Sequence, residues 1–113
     1  MTQTNQDFSI YQGDDKGIRF ELQDSAGEIL GITGASAQWK SAVSSRGPAL
    51  VSKTPTLEID DGKSWAVVVL SPADTVNLAP FGYYHELQIT DGAGQTFTAA
   101  VGSMEVRRAL IKS

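Results

Sequence analysis

The alternation of apolar and polar residues with a period of two constrains this chain more than any other feature. In GIRFELQ, beginning at Gly17, residues Ile18, Phe20 and Leu22 fall on one face of an extended segment, and Arg19, Glu21 and Gln23 on the other. That pattern predicts a half-buried strand of an antiparallel sheet. The same rule organises GITGASAQWKSAV, from Gly31 to Val43, which lacks any apolar stripe at helical spacing. Ala35, Ala37, Trp39, Ser41 and Val43 share one face, so Trp39 is expected in the core and Gly34 is read as the turn or bulge that starts the strand. GYYHELQIT alternates again, with Tyr83, His85, Leu87 and Ile89 facing inward and Tyr84 outward.

Turn chemistry separates these runs. DSAGE, from Asp24, needs an aspartate that caps its own backbone and a glycine, Gly27, at positive φ. DDGK at Asp60–Lys63 and DGAGQ from Asp91 carry Asp-Gly hairpin signals. SSRGPA is a loop, and ALVSK and TLEID are short strands around Pro55, which bars a central ladder position there. SWAVVVL is apolar on both faces, so its outer face needs a cover. Val68 is expected to be the outward member, with a partner or the following short helix as that cover. SPADTVNL supplies the helix, at about residues 72–77: Ser71 caps it, Pro72 suits its first position and Asp74 completes a capping box. TFTAAVGSMEV closes the sheet, with Gly102 a bulge or corner. Roughly seven to nine short strands and one short helix describe an all-β sandwich. It forms one domain over residues 1–113, with 1–7 expected to be flexible.

Composition excludes competitors more than it selects a function. The 113 residues include no cysteine, which removes disulfides and thiolate metal sites. The N-terminal stretch MTQTNQDFSIYQGDD is polar, so neither a signal peptide nor a membrane span of about 20 apolar residues is expected. The net charge is −4, and basic residues are scattered except for Arg107–Arg108, so nucleic acid is not an expected partner. The pairs Asp14–Asp15 and Asp60–Asp61, and Asp91, fit turn chemistry and do not match the Ca²⁺ loop pattern. GAG at 92–94 lies in a hairpin rather than before a helix, which removes the phosphate-loop reading. RRALIKS at the C-terminus reads as a solvated end. His85, the one histidine, falls on an inward face and is expected to be structural, because no nucleophile elbow accompanies it. No metal or cofactor is expected.

The order of the pieces resembles the small immunoglobulin-like domains of tailed-phage baseplate and tail-fibre proteins, of the type found at the N-terminus of upper baseplate proteins. The matching positions are Gly13-Asp14, Thr33-Gly34-Ala35, Leu70-Ser71, Asp74-Thr75, Gly82-Tyr83, Glu86-Leu87, Asp91 to Gly94, and Gly102 to Val106. Ile32 stands where leucine is usual in the family, and SSRGPALVSKTPT has no clear counterpart. The resemblance covers most of the chain. It implies an immunoglobulin-like sandwich and a non-catalytic structural or assembly role in the virion, with tail or baseplate proteins as partners.

Three functions compete. A tail structural protein that forms a homo-oligomer, or docks on neighbours, predicts an apolar or edge-strand surface, with Val68 and Tyr84 as candidate interface residues. It would be assembled in the bacterial host cytoplasm and touch neither nucleic acid nor membrane. A carbohydrate-binding sandwich predicts two or more coplanar exposed aromatics among Trp39, Trp65, Tyr83 and Tyr84. A small hydrolase predicts His85 on the floor of a cleft beside a carboxylate or hydroxyl.

Overall fold

In the computed structural model, which describes residues 2–24 and 26–110, two sheets stack face to face. The strands are β1 (Phe8–Tyr11), β2 (Lys16–Leu22), β3 (Ser36–Ala42), β4 (Val51–Lys53), β5 (Thr56–Asp60), β6 (Lys63–Leu70), β7 (Phe81–Thr90) and β8 (Thr96–Arg107). A one-turn helix, α1 (Pro72–Thr75), joins β6 to β7. The larger sheet has the order β1-β8-β7-β3-β4, and the smaller β2-β6-β5. Every strand pairing is antiparallel except one: β1 runs parallel to β8, so the chain's first strand lies beside its last.

This connectivity is that of an immunoglobulin-like sandwich, in which the second, fifth and sixth strands form one sheet and the third, seventh and eighth build the other. A second hallmark agrees. The Tyr83 hydroxyl donates to the Ala79 carbonyl at 2.7 Å, tying the start of β7 to the corner before it, which is the tyrosine corner of such folds.

Residue chemistry explains the elements. Asp61 and Gly62 both take positive φ, as a two-residue hairpin between twisted strands requires. The loops at Asp24 and Asp91 are built alike. In each, the aspartate Oδ1 accepts two backbone N–H groups, from Ala26 and Glu28 or from Ala93 and Gln95, and a glycine three residues on has positive φ. In α1 the Asp74 carboxylate accepts from the Ser71 N–H at 2.7 Å and the Ser71 hydroxyl at 3.1 Å, and it pairs with Lys53 of β4 at 2.8 Å. Burial pushes Asp74 up, but the bonds from Lys53 and Ser71 outweigh it and leave the carboxyl below its ordinary range. The helix is shorter than the 72–77 expected, since residues 76–77 form a turn.

The core lies between the sheets: Phe20, Leu22, Ala66, Val68 and Leu70 from the smaller, and Trp39, Leu87, Ile89, Met104 and Val106 from the larger. Within 1–7, the segment expected to be flexible, Gln3 N–H bonds Ala99, Val101 N–H bonds Gln3, and Gln6 N–H bonds Val101. One expectation needs correction. Gly102 is not the bulge, since the register shift falls at Leu87/Gln88. Gly102 instead marks a close approach. A Cβ there would collide with the carbonyl group and nitrogen of Gln6, the nitrogen at 2.9 Å.

Candidate functional site

His85 projects from β7 into the core and is 0% exposed. Trp39 Nε1–H donates to its Nδ1 at 3.2 Å, and an indole can only donate, so the ring proton sits on Nε2. Nε2–H then donates to the Gln6 carbonyl at 2.6 Å. Phe8, Phe20 and Trp39 enclose the imidazole, with ring centroids at 5.1, 5.8 and 5.8 Å. Burial lowers the His85 pKa, against the Gln6 carbonyl and Asp7, which raise it. Both nitrogens are occupied and neither faces a cleft, so the residue is a neutral hydrogen-bonded bridge.

Its position carries further meaning. In disulfide-containing domains of this fold, a cysteine two residues after the corner tyrosine bonds to a cysteine on the second strand, and a tryptophan from the third packs on the bond. Here His85 stands two residues after Tyr83, Phe20 faces it from β2, and Trp39 comes from β3. A hydrogen bond and ring contacts thus hold the place of a covalent pin in a chain without cysteine.

Tyr84 lies on the outer face of the larger sheet. Its hydroxyl donates to Glu86 Oε1 at 2.8 Å, and partial burial, together with that carboxylate, pushes its pKa up to about 12. Beside it, a cavity of about 220 Å³ is lined by Lys40, Ser41, Ser44, Ser45, Tyr84 and Glu86, and a smaller one of about 120 Å³ continues over Gln38 and Gln88. Cross-strand neighbours around Tyr84 on this face are Gln38 with Gln88, Lys40 with Glu86 and Ala42 with Tyr84, a mostly polar surface. Trp65 belongs to the opposite outer face, and Trp39 and Tyr83 are buried, so no coplanar aromatic platform forms among these four.

Val68 is not the outward member of β6. It pairs with Ile18, shares the inner face with Ala66 and Leu70, and is 1% exposed. The inner parity of β6 is set by its neighbour, because Ile18, Phe20 and Leu22 face the core and their partners must do the same. The outward set is therefore Trp65, Val67 and Val69. Val69 is 64% exposed and stands opposite Gly17, which offers no side chain to cover it. Trp65 is shielded: the Arg19 guanidinium lies 4.1 Å from its ring centroid, held by Asp60 at 3.1 Å and Glu58 at 3.6 Å. Helix α1 does not cover this face; its buried Thr75 instead accepts the Gly13 N–H, at the end of the sandwich.

Thus the structure leaves Tyr84 partly exposed, as expected, and moves the apolar candidate from Val68 to Val69. Sequence reasoning missed Arg19 as a cap on Trp65, although the outward parity of Arg19 and the glutamate and aspartate of TLEID were signals for it. Asp24, Asp61 and Asp91 serve turns, and among the described residues no group of three metal-ligating side chains forms. Among those residues no helix is long and apolar enough to cross a membrane. The last three residues of RRALIKS and Met1 lie outside the described residues. No protein-family model matches the chain, and no curated protein matches it in sequence.

Proposed function

We propose that this chain is a non-catalytic assembly protein of a phage or prophage tail or baseplate, acting through protein–protein contacts. The observation that supports docking is the outward row of β6, where Val69 stands 64% exposed beside Val67. Apolar surface left in water gains stability when a partner covers it, at about 25 cal/mol per Å². The tail assignment rests on the ordered motifs that resemble baseplate and tail-fibre domains. Its partners are then other tail or baseplate proteins and further copies of itself, in a virion assembled in the bacterial host cytoplasm.

Light scattering at micromolar concentration tests this. The wild-type chain is expected as a dimer or larger species and Val69→Glu as a smaller species that has lost the contact through β6, with an unchanged circular dichroism spectrum. A wild-type chain that is strictly monomeric, and that fails to bind purified tail proteins encoded beside it, would falsify the reading.

A further inference from the structure

The N-terminal arm, residues 2–11, reaches the rest of the chain chiefly through one strand. β1 lies at the sheet edge and pairs with β8 alone, in the register Phe8 with Met104 to Tyr11 with Arg107. Before it, Gln3 and Gln6 exchange backbone bonds with Ala99 and Val101, and the Ser103 N–H donates to the Asp7 carboxylate at 2.8 Å. Between these anchors Asn5 has φ 57, which breaks the extended run, and Thr2, Thr4, Asn5 and Asp7 are exposed.

The remainder of the domain is shaped to receive this backbone. Gly102 leaves a notch through which Gln6 passes, and at its floor the buried His85 uses its only N–H on the Gln6 carbonyl. Ile10 fills a core site and Phe8 packs on the imidazole. With the arm away, the His85 N–H and the β8 edge lose their partners and two apolar sockets open, so an empty socket is costly and refills. The same ten residues from any copy refill it equally well, because the contacts are set by backbone register and by residues every copy carries.

The arm also has a fixed pivot. The Gln12 side chain donates to the Leu78 carbonyl at 2.7 Å and accepts the Ala109 N–H at 3.2 Å, and the Gly13 N–H bonds Thr75. These anchors belong to the body and survive if everything before Gln12 swings out. The register begins at Tyr11, directly beside this pivot, so two copies can exchange arms where the Arg107 ends of their β8 strands meet. We propose that the β8 edge is a strand-acceptor site, closed within one chain by its own arm, and that copies of the chain associate by exchanging residues 2–11. This deepens the assembly reading by naming a partner, a second copy, without using the β6 face.

The test uses two intact chains, each with one cysteine. Ser9 and Glu105 are register partners on neighbouring strands, whose spacing of about 4.8 Å admits a disulfide. Ser9→Cys and Glu105→Cys chains are mixed at high concentration with oxidised glutathione. Neither can cross-link internally, so a mixed disulfide reports one copy's arm lying on another's β8. The expected result is a several-fold excess of mixed dimer over a control pairing of Ser9→Cys with Lys40→Cys. Adding Gly102→Ala to the Glu105→Cys chain should abolish the excess by filling the notch. A yield equal to the Lys40→Cys control overturns the proposal. Because Val69 is untouched, such a failure leaves docking through β6 standing, and Val69→Glu chains that still cross-link separate the two in the other direction.

Discussion

β6 and β7 each occupy the interior of a sheet, and they divide their chemistry in opposite ways. β7 sends Tyr83, His85, Leu87 and Ile89 inward and Tyr84, Glu86 and Gln88 outward, so its outer face is wet and its inner face holds a buried polar group. β6 sends Ser64, Ala66, Val68 and Leu70 inward and Trp65, Val67 and Val69 outward, so it is apolar or nearly so on both sides. The polar group on β7 is tolerated because Trp39 and Gln6 satisfy both of its nitrogens. The apolar outer row of β6 is tolerated in part because Arg19 lies across Trp65; only the Val69 end lacks such a cover.

The sharpest way to break this comparison is to place the same charge on adjacent residues of β6. Val68→Glu buries a carboxylate against Ile18 with no partner. It should cost upwards of about 4 kcal/mol, a large share of the roughly 5–15 kcal/mol that holds a domain together. Val69→Glu faces solvent and should change monomer stability by about 1 kcal/mol or less. Urea denaturation of both variants decides it; similar losses would mean that the outer face of β6 is as buried as the inner.

The corresponding break on β7 is His85→Leu, which keeps the bulk and leaves the Trp39 N–H and the Gln6 carbonyl unpaired. Each unsatisfied group costs about 1–3 kcal/mol, so a combined loss of about 2–6 kcal/mol is expected. His85→Gln, which retains a donor and an acceptor, should recover much of it. Acid separates the two further. Burial depresses the folded pKa of His85 below 6.5, so the unfolded chain binds the proton first. The stabilisation is complete above about pH 6.5 and is lost as pH falls from there through the folded pKa. His85→Gln should show no slope in that window, and Asp74, also depressed, acts only below its ordinary 3.8. An identical slope in wild type and His85→Gln would remove His85 as its cause.

How much was legible follows from the same two strands. The alternation of β7 contrasts apolar with polar residues, so its parity could be read directly, and Tyr83, Tyr84 and His85 fall where the pattern puts them. β6 offers six consecutive apolar residues from Trp65 to Leu70, and a period of two has no phase when both faces carry the same chemistry. Only the pairing with β2 supplies it, through Ile18 opposite Val68, and pairing is a long-range fact. The arm is a similar case. Nothing local in TQTNQDF signals a strand; what places it is the notch at Gly102 and the N–H of His85, nearly a hundred and nearly eighty residues away. Turns, by contrast, are local, and DSAGE, DDGK and DGAGQ could be read from their aspartates and glycines alone.

The smallest expected effects sharpen the contrast within β7 itself, between neighbouring tyrosines. The Tyr83 hydroxyl, although part-buried, ties β7 to the corner that follows α1, and Tyr83→Phe should cost about 1 kcal/mol, the usual net worth of one intramolecular hydrogen bond. The Tyr84 hydroxyl reaches only Glu86, two residues along the same strand, so it joins no two elements, and Tyr84→Phe should fall within about 0.5 kcal/mol of wild type. Thermal denaturation of the two variants, side by side, checks the order. The phenol pushed up to about 12 gives a second readout: Tyr84→Phe should remove a tyrosine that ionises in that range from an ultraviolet pH titration while leaving the melting curve nearly unmoved. If Tyr84→Phe proved the more destabilising of the two, the outer face of β7 would be a packed surface rather than a wet one, and its likeness to β6 would be closer than the exposed row of polar side chains implies.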